Sequence, residues 1–161
     1  MAARDIFLKI EGVTGEALDD KHKDEIEIES FHMGAANMGS GHHGEGSGSG
    51  KAMIHDMHLT KLFDKASPNL FIACCNGKHH PSATLIVRKA GEHPHEYAKF
   101  KMEKVFLSSY SAKHDGSGGI VRESFSLNFA AIELTYVPQR PDGTAGAAIV
   151  KKHDIAANKS T

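Results

Sequence analysis

Along most of the chain apolar residues alternate with polar ones at a spacing of two, the pattern of half-buried β-strands. Ile6, Leu8 and Ile10 alternate with Phe7, Lys9 and Glu11 and predict a first strand that stops at Gly12, followed by a polar loop from Val13 to Asp24. Ile26 and Ile28 then alternate with Glu27 and Glu29, after which the apolar positions change parity to Phe31 and Met33. A strand of strict period two cannot hold all four on one face, so a bulge or bend is expected near Glu29 and Ser30. With Phe31 and Met33 turned inward, His32 faces out.

Met53, Met57 and Leu59 predict a third strand, with Ile54 on its other face. Leu62, Phe63, Ala66, Leu70, Ala73 and Cys74 recur at three- and four-residue spacing and predict one helix. Ser67-Pro68 would cap and start it, and Asn76-Gly77 would stop it. Beyond the helix, Ala83, Leu85 and Val87 mark another strand, and Glu96 to Tyr110 alternates through Ala98, Phe100 and Met102. Asp115 to Gly119 (DGSGG) reads as a hairpin turn into a strand from Ile120 to Val137, ended by Pro138 and Pro141-Asp142-Gly143. Lys151 to Thr161 is polar and is expected to be a flexible tail. The sum, about seven strands and one helix, predicts a mainly β single domain over residues 1–161, a barrel or sandwich.

Residues 34–50 (GAANMGSGHHGEGSGSG) interrupt this pattern with a glycine-rich loop that has little apolar surface to bury. Such a segment cannot offset its own ordering entropy, so alone it is expected to be mobile. Long loops inside a small domain usually carry function.

The formal net charge is −1, with Lys plus Arg 19 against Asp plus Glu 20. That balance lacks the cationic excess of a nucleic-acid surface and permits copies of the chain to approach one another. The first ten residues carry Arg4, Asp5 and Lys9 and offer no apolar core for a secretory signal. No run is long enough to cross a bilayer, so synthesis in the cytoplasm without a signal peptide is expected. Cys74 and Cys75 are adjacent, unsuited to an ordinary disulfide, and are expected as two buried thiols.

Twelve histidines raise the question of a metal. His55 and His58, three apart on a predicted strand, should point to opposite faces. His42-His43 lies in the flexible loop, where preorganisation is costly. His93-Pro94-His95 resembles half of a cupin site, but Lys99 and Phe100 stand where its glutamate is needed. No nucleophile elbow or phosphate loop is present, and Asp19-Asp20 and Asp24-Glu25 are expected to pair with Lys21 and Lys23 on the surface. Neither a catalytic residue, a metal nor a cofactor is therefore expected.

Several phrases resemble the haemolysin-coregulated protein (Hcp) family, in order and from roughly residue 4 to 158. They are Asp5 to Gly12 (DIFLKIEG), Lys21 to Ile26 (KHKDEI), Gly50-Lys51, Asp64 to Leu70 (DKASPNL), Ala73 to Cys75 and Gly77 to His79. Val87 to Gly91 (VRKAG), Leu107 to Tyr110 (LSSY), Ser126 to Ala130 (SLNFA) and Tyr136 to Gln139 (YVPQ) continue the series. The resemblance implies a compact β-barrel of two sheets with one flanking helix. It also implies a homohexameric ring that stacks into the inner tube of a type VI secretion system. A contractile sheath would expel that tube behind a VgrG-type spike, with effector proteins carried in the channel. In those terms His32 is a channel-lining residue and a candidate for cargo contact. Gly39, Ser40, Gly41, His42, His43, Gly44, Glu45 and Gly46 are candidates for contact between subunits or rings. The alternatives are an effector chaperone that builds little tube, or a metal-dependent β-barrel enzyme.

Overall fold

Twelve strands and one helix follow one another through residues 5–37 and 51–161, the residues described by the computed structural model. They are β1 (Ile6–Ile10), β2 (Ile26–Glu27), β3 (Ser30–His32), β4 (Ala35–Ala36), β5 (Met53–Ile54), β6 (Met57–Leu62), α1 (Ser67–Asn76) and β7 (His79–Lys89), followed by β8 (His95–His114), β9 (Val121–Asn128), β10 (Ala131–Tyr136), β11 (Ile149–Asp154) and β12 (Lys159–Ser160). Ten strands join in one antiparallel sheet, and β4 with β5 makes a separate two-stranded ladder. The fold is mainly β, as the alternation predicts.

The 20-residue β8 organises both halves of the sheet. Its first part pairs with β7 and β10; its last part pairs with β9. The exchange of partners falls at Lys104, whose φ of 53° turns the strand. One arm then runs β12-β11-β10-β8-β7-β1-β2, and the other continues from β8 through β9 and β6 to β3. The strand expected from Ile120 to Val137 is two strands, broken at Phe129 and Ala130 opposite the turn in β8. Buried Phe129 fills that corner, and the pairing register is unchanged across it: Phe106 faces Asn128 and Glu103 faces Ala131.

The arms meet again at residues 26–32, where the parity change predicts a bend. The amide of Ile28 donates to the carbonyl of Ile6 in β1, whereas that of the next residue, Glu29, donates to Thr60 in β6. The segment thus passes from one arm to the other by a change of partner, and no continuous ladder closes the barrel there. Leu8, Ile10, Ile26, Ile28, Leu85, Met102, Phe125 and Leu127 belong to the enclosed core, against which Leu70 and Ala73 of α1 pack.

Four expectations are corrected. Phe7 is buried although its parity is polar, because the loop after β1 folds over it: the His22 ring stacks on it at 4.5 Å and the Arg88 guanidinium lies 4.8 Å from its centre. Leu62 ends β6 and Phe63 is half exposed, so the helix begins only at Ser67; Ser67 does not cap it, its hydroxyl being directed to Glu123. Pro68 stands in the first turn and Gly77, at φ 61°, closes the helix with Lys78 N–H donating to Ala73 C=O at 3.1 Å. Cys75 is exposed, and Cys74 is only partly buried where it packs against the core. The segment from Lys151 is paired rather than a free tail: β11 lies along β10, and Lys152 and Thr161 exchange two backbone hydrogen bonds.

Candidate functional site

Three strands of the second arm, β3, β6 and β9, present one outward face with the last part of β8. Cross-strand neighbours share a face, and two rows result. Ser30, Thr60, Ser124 and Ser111 form one; His32, His58, Ser126 and Ser109 form the other. The Ser30 and Thr60 hydroxyls hydrogen-bond across the strands, as do those of Ser109 and Ser126. A shallow groove runs over this surface beside His32 and His58. Both rows consist of hydroxyls and imidazoles, with no lysine, arginine or carboxylate among them.

His32 faces out, as the parity argument requires, while Phe31 and Met33 pack against the core and Phe31 meets Phe100 edge-on at 5.2 Å. The strand expected from Met53 to Leu59 is interrupted at His55 and Asp56, so His55 and His58 do not lie on one uninterrupted strand. The opposite number of His32 is His58. That pairing was not legible from the sequence, because the loop at 34–50 separates the two strands and hides their register. Gly39 to Gly46 lie outside the described residues; the stem of the loop is the β4–β5 ladder, Ala35 facing Ile54.

The other histidines of the described segments are mostly engaged. The buried His22 ring has Glu25 and Glu96 carboxylate oxygens at 2.7 Å from its two nitrogens. His80 reaches the carbonyl of Glu11, His95 that of Val137, and His153 the hydroxyl of Ser160. Of the half of a cupin motif, His95 is thus held by β10's end while His93 is exposed. Among the described residues no three His, Cys, Asp or Glu side chains are grouped to hold a metal ion.

Of the acids expected to pair with neighbouring lysines, Asp19 instead reaches Arg88 and Glu25 meets His22. Asp19 and Asp5 both hold Arg88, and hydrogen bonding to that guanidinium keeps the Asp19 carboxyl below the usual aspartate range. A second network is buried. The Lys61 ammonium, with no exposure, meets Glu123, Asp64, Ser67 and the carbonyl of Leu62. Glu123 also accepts from Ser67 and from Tyr110, whose phenol is pushed well above its ordinary range by burial and then by that carboxylate. The network ties β6, β8, β9 and α1 together.

The first arm carries a different surface. Ile132, Leu134 and Tyr136 alternate onto the core-facing side of β10, but only Ile132 is covered; Leu134 is 41% and Tyr136 52% exposed. Ile149 of β11, directly opposite Tyr136, is 57% exposed. These residues have core parity without a core over them. No helix among the described residues is long and apolar enough to cross a membrane.

The family described as "Type VI secretion system effector, Hcp" matches residues 7–136. The chain is 41% identical over 150 residues to Protein hcp1 of Pseudomonas aeruginosa, covering 92% of this chain and 93% of that protein. A solved structure of a type six secretion system protein superposes with a TM-score of 0.92 at 31% identity, covering 99% of this chain and all of that one. Hcp1 from Salmonella typhimurium superposes at 0.80 with 36% identity, covering 98% of each chain. With its fold, its sequence phrases and these relatives in agreement, the chain belongs to the Hcp family of type VI secretion proteins.

Proposed function

We propose that this chain is a structural subunit of the type VI inner tube, assembling as homohexameric rings that stack and are expelled by a contractile sheath behind a VgrG-type spike. The observation that carries self-association is the uncovered strip of Leu134, Tyr136 and Ile149 on the edge of the first arm. Core-parity side chains left in solvent mark a surface completed by another chain. In a ring that surface meets a different face of an identical neighbour, a head-to-tail contact that closes by rotation.

The hydroxyl and imidazole face around His32 then lines the channel and gives passing effector proteins neutral hydrogen-bonding groups. The glycine-rich loop at 34–50 supplies the contact between subunits or rings. The chain itself is exported by the type VI system with its cargo. A specialised effector carrier would keep the polar channel face but form short assemblies.

Light scattering after gel filtration, with negative-stain images, tests this reading. A mass near six times 17.4 kDa with six-fold rings around an open channel is expected. A monomer at high concentration removes the premise. Small proteins that survive purification inside unstacked rings would favour the carrier. Deleting Ser40 to Ser49 should weaken stacking while leaving single rings intact.

A further inference from the structure

We propose that His32 and His58 form a binding site for a divalent transition-metal ion of the zinc, nickel or copper type. The two residues are directly opposed on the antiparallel strands β3 and β6, both exposed and on one face. Opposed residues of such a pair hold their Cβ atoms about 4.5–5.5 Å apart. Side chains do converge on this face, because the next pair along, Ser30 and Thr60, hydrogen-bonds across the same two strands. Neither imidazole is spent on a hydrogen bond, ion pair or ring contact with a described residue, in contrast with His22, His80, His95 and His153.

The backbone beside the pair leaves room for the rings. Gly34 lacks a side chain, and a Cβ there would stand 3.2 Å from Nδ1 of His55 and 4.0 Å from Cε1 of His32. His55 is thereby held close to the pair, its amide donating to the Gly34 carbonyl at 2.9 Å. Neutral imidazole suits zinc, nickel and copper, at metal–nitrogen distances of about 2.0–2.1 Å for zinc. His32 and His58 supply two ligands from rigid strands, and water completes the shell. The site is open, consistent with the absence of a three-ligand cage among the described residues. Binding displaces any proton on the ligating nitrogens, so acidification weakens it.

The proposal does not depend on tube assembly, and its test distinguishes the two. The full-length protein is titrated calorimetrically with Zn2+ and, separately, Ni2+, beside His32→Ala, His58→Ala and the loop variant His42→Ala/His43→Ala. One ion per chain is expected. Either strand variant should weaken binding beyond the roughly 10–100-fold that loss of a mere outer-shell partner costs, and the loop variant should bind as before. Unchanged affinity in His58→Ala, or loss confined to the loop variant, overturns the proposal. Should a strand variant fail to fold, substoichiometric Ni2+ in the unaltered protein decides by nuclear magnetic resonance. Broadening centred on the His32 and His58 ring signals supports the site, and broadening centred elsewhere overturns it.

Discussion

Lys61 and Glu123 face each other across β6 and β9 as an ion pair in which neither side chain is exposed to solvent. Removing Glu123 leaves the buried Lys61 ammonium with Asp64 as its remaining counter-charge and takes the acceptor away from the Ser67 and Tyr110 hydroxyls. Glu123→Ala should therefore cost about 3–5 kcal/mol, the usual cost of breaking a buried pair. Replacing both charges, as in Lys61→Met/Glu123→Leu, should cost less than the two single changes together, because neither fully buried charge is left behind and only the partly exposed Asp64 loses a partner. Urea denaturation of the four proteins measures the coupling, and strict additivity would contradict this account.

Arg88 fastens the loop after β1 through Asp19 and Asp5. Since the folded Asp19 carboxyl lies below its unfolded value, it contributes stability that is present above about pH 4 and disappears as pH falls through the folded value. Asp19→Asn forgoes that contribution. The gap between wild type and variant in urea midpoint should be wide at pH 7 and narrow at pH 3. A constant gap would assign the effect of Asp19 to packing instead.

Gly15 sits so close to the next stretch of backbone that a Cβ would overlap the carbonyl of Glu25. Its amide donates to Asp24 in the same crossing. Gly15→Ala should destabilise by about 1–3 kcal/mol, as overpacking does, and should loosen the cover over Phe7. Thermal melting, with the accessibility of His22 to diethyl pyrocarbonate, checks both.

Leu134→Asp and Tyr136→Asp place charge on the uncovered strip without touching the core beneath Ile132. Each should convert assemblies to monomers with an unchanged circular dichroism spectrum, read by light scattering. A variant that stays assembled moves the interface elsewhere.

The alternation of Ile6, Leu8 and Ile10, the parity change after Ile28 and the turn at Asp115 to Gly119 were all legible, because period, bend and turn chemistry are local properties. The outward face of His32 followed from the same local argument. Its partner did not, since cross-strand register across residues 34–50 is set by the rest of the fold. Phe63 was misread because its spacing suits a helix that begins only after the chain leaves β6. Nothing in the local alternation marks Lys61 and Glu123; only the β6–β9 register reveals that they share the interior. Lys151 to Thr161 has little apolar pattern because β10, not the core, holds it in place.

The adjacent amides of Ile28 and Glu29 bond to opposite arms of the barrel, which makes them a built-in pair of reporters. Adjacent in the chain, they share nearly the same chemical surroundings when unfolded, so a difference in their hydrogen-exchange protection measures one arm loosening before the other. The wall there lacks redundancy, because residues 26–28 serve only β1 and residues 29–32 only β6. Cargo seated on the outward face of β3 would therefore slow exchange at Glu29 more than at Ile28, and that asymmetry records the contact at two adjacent peptide groups.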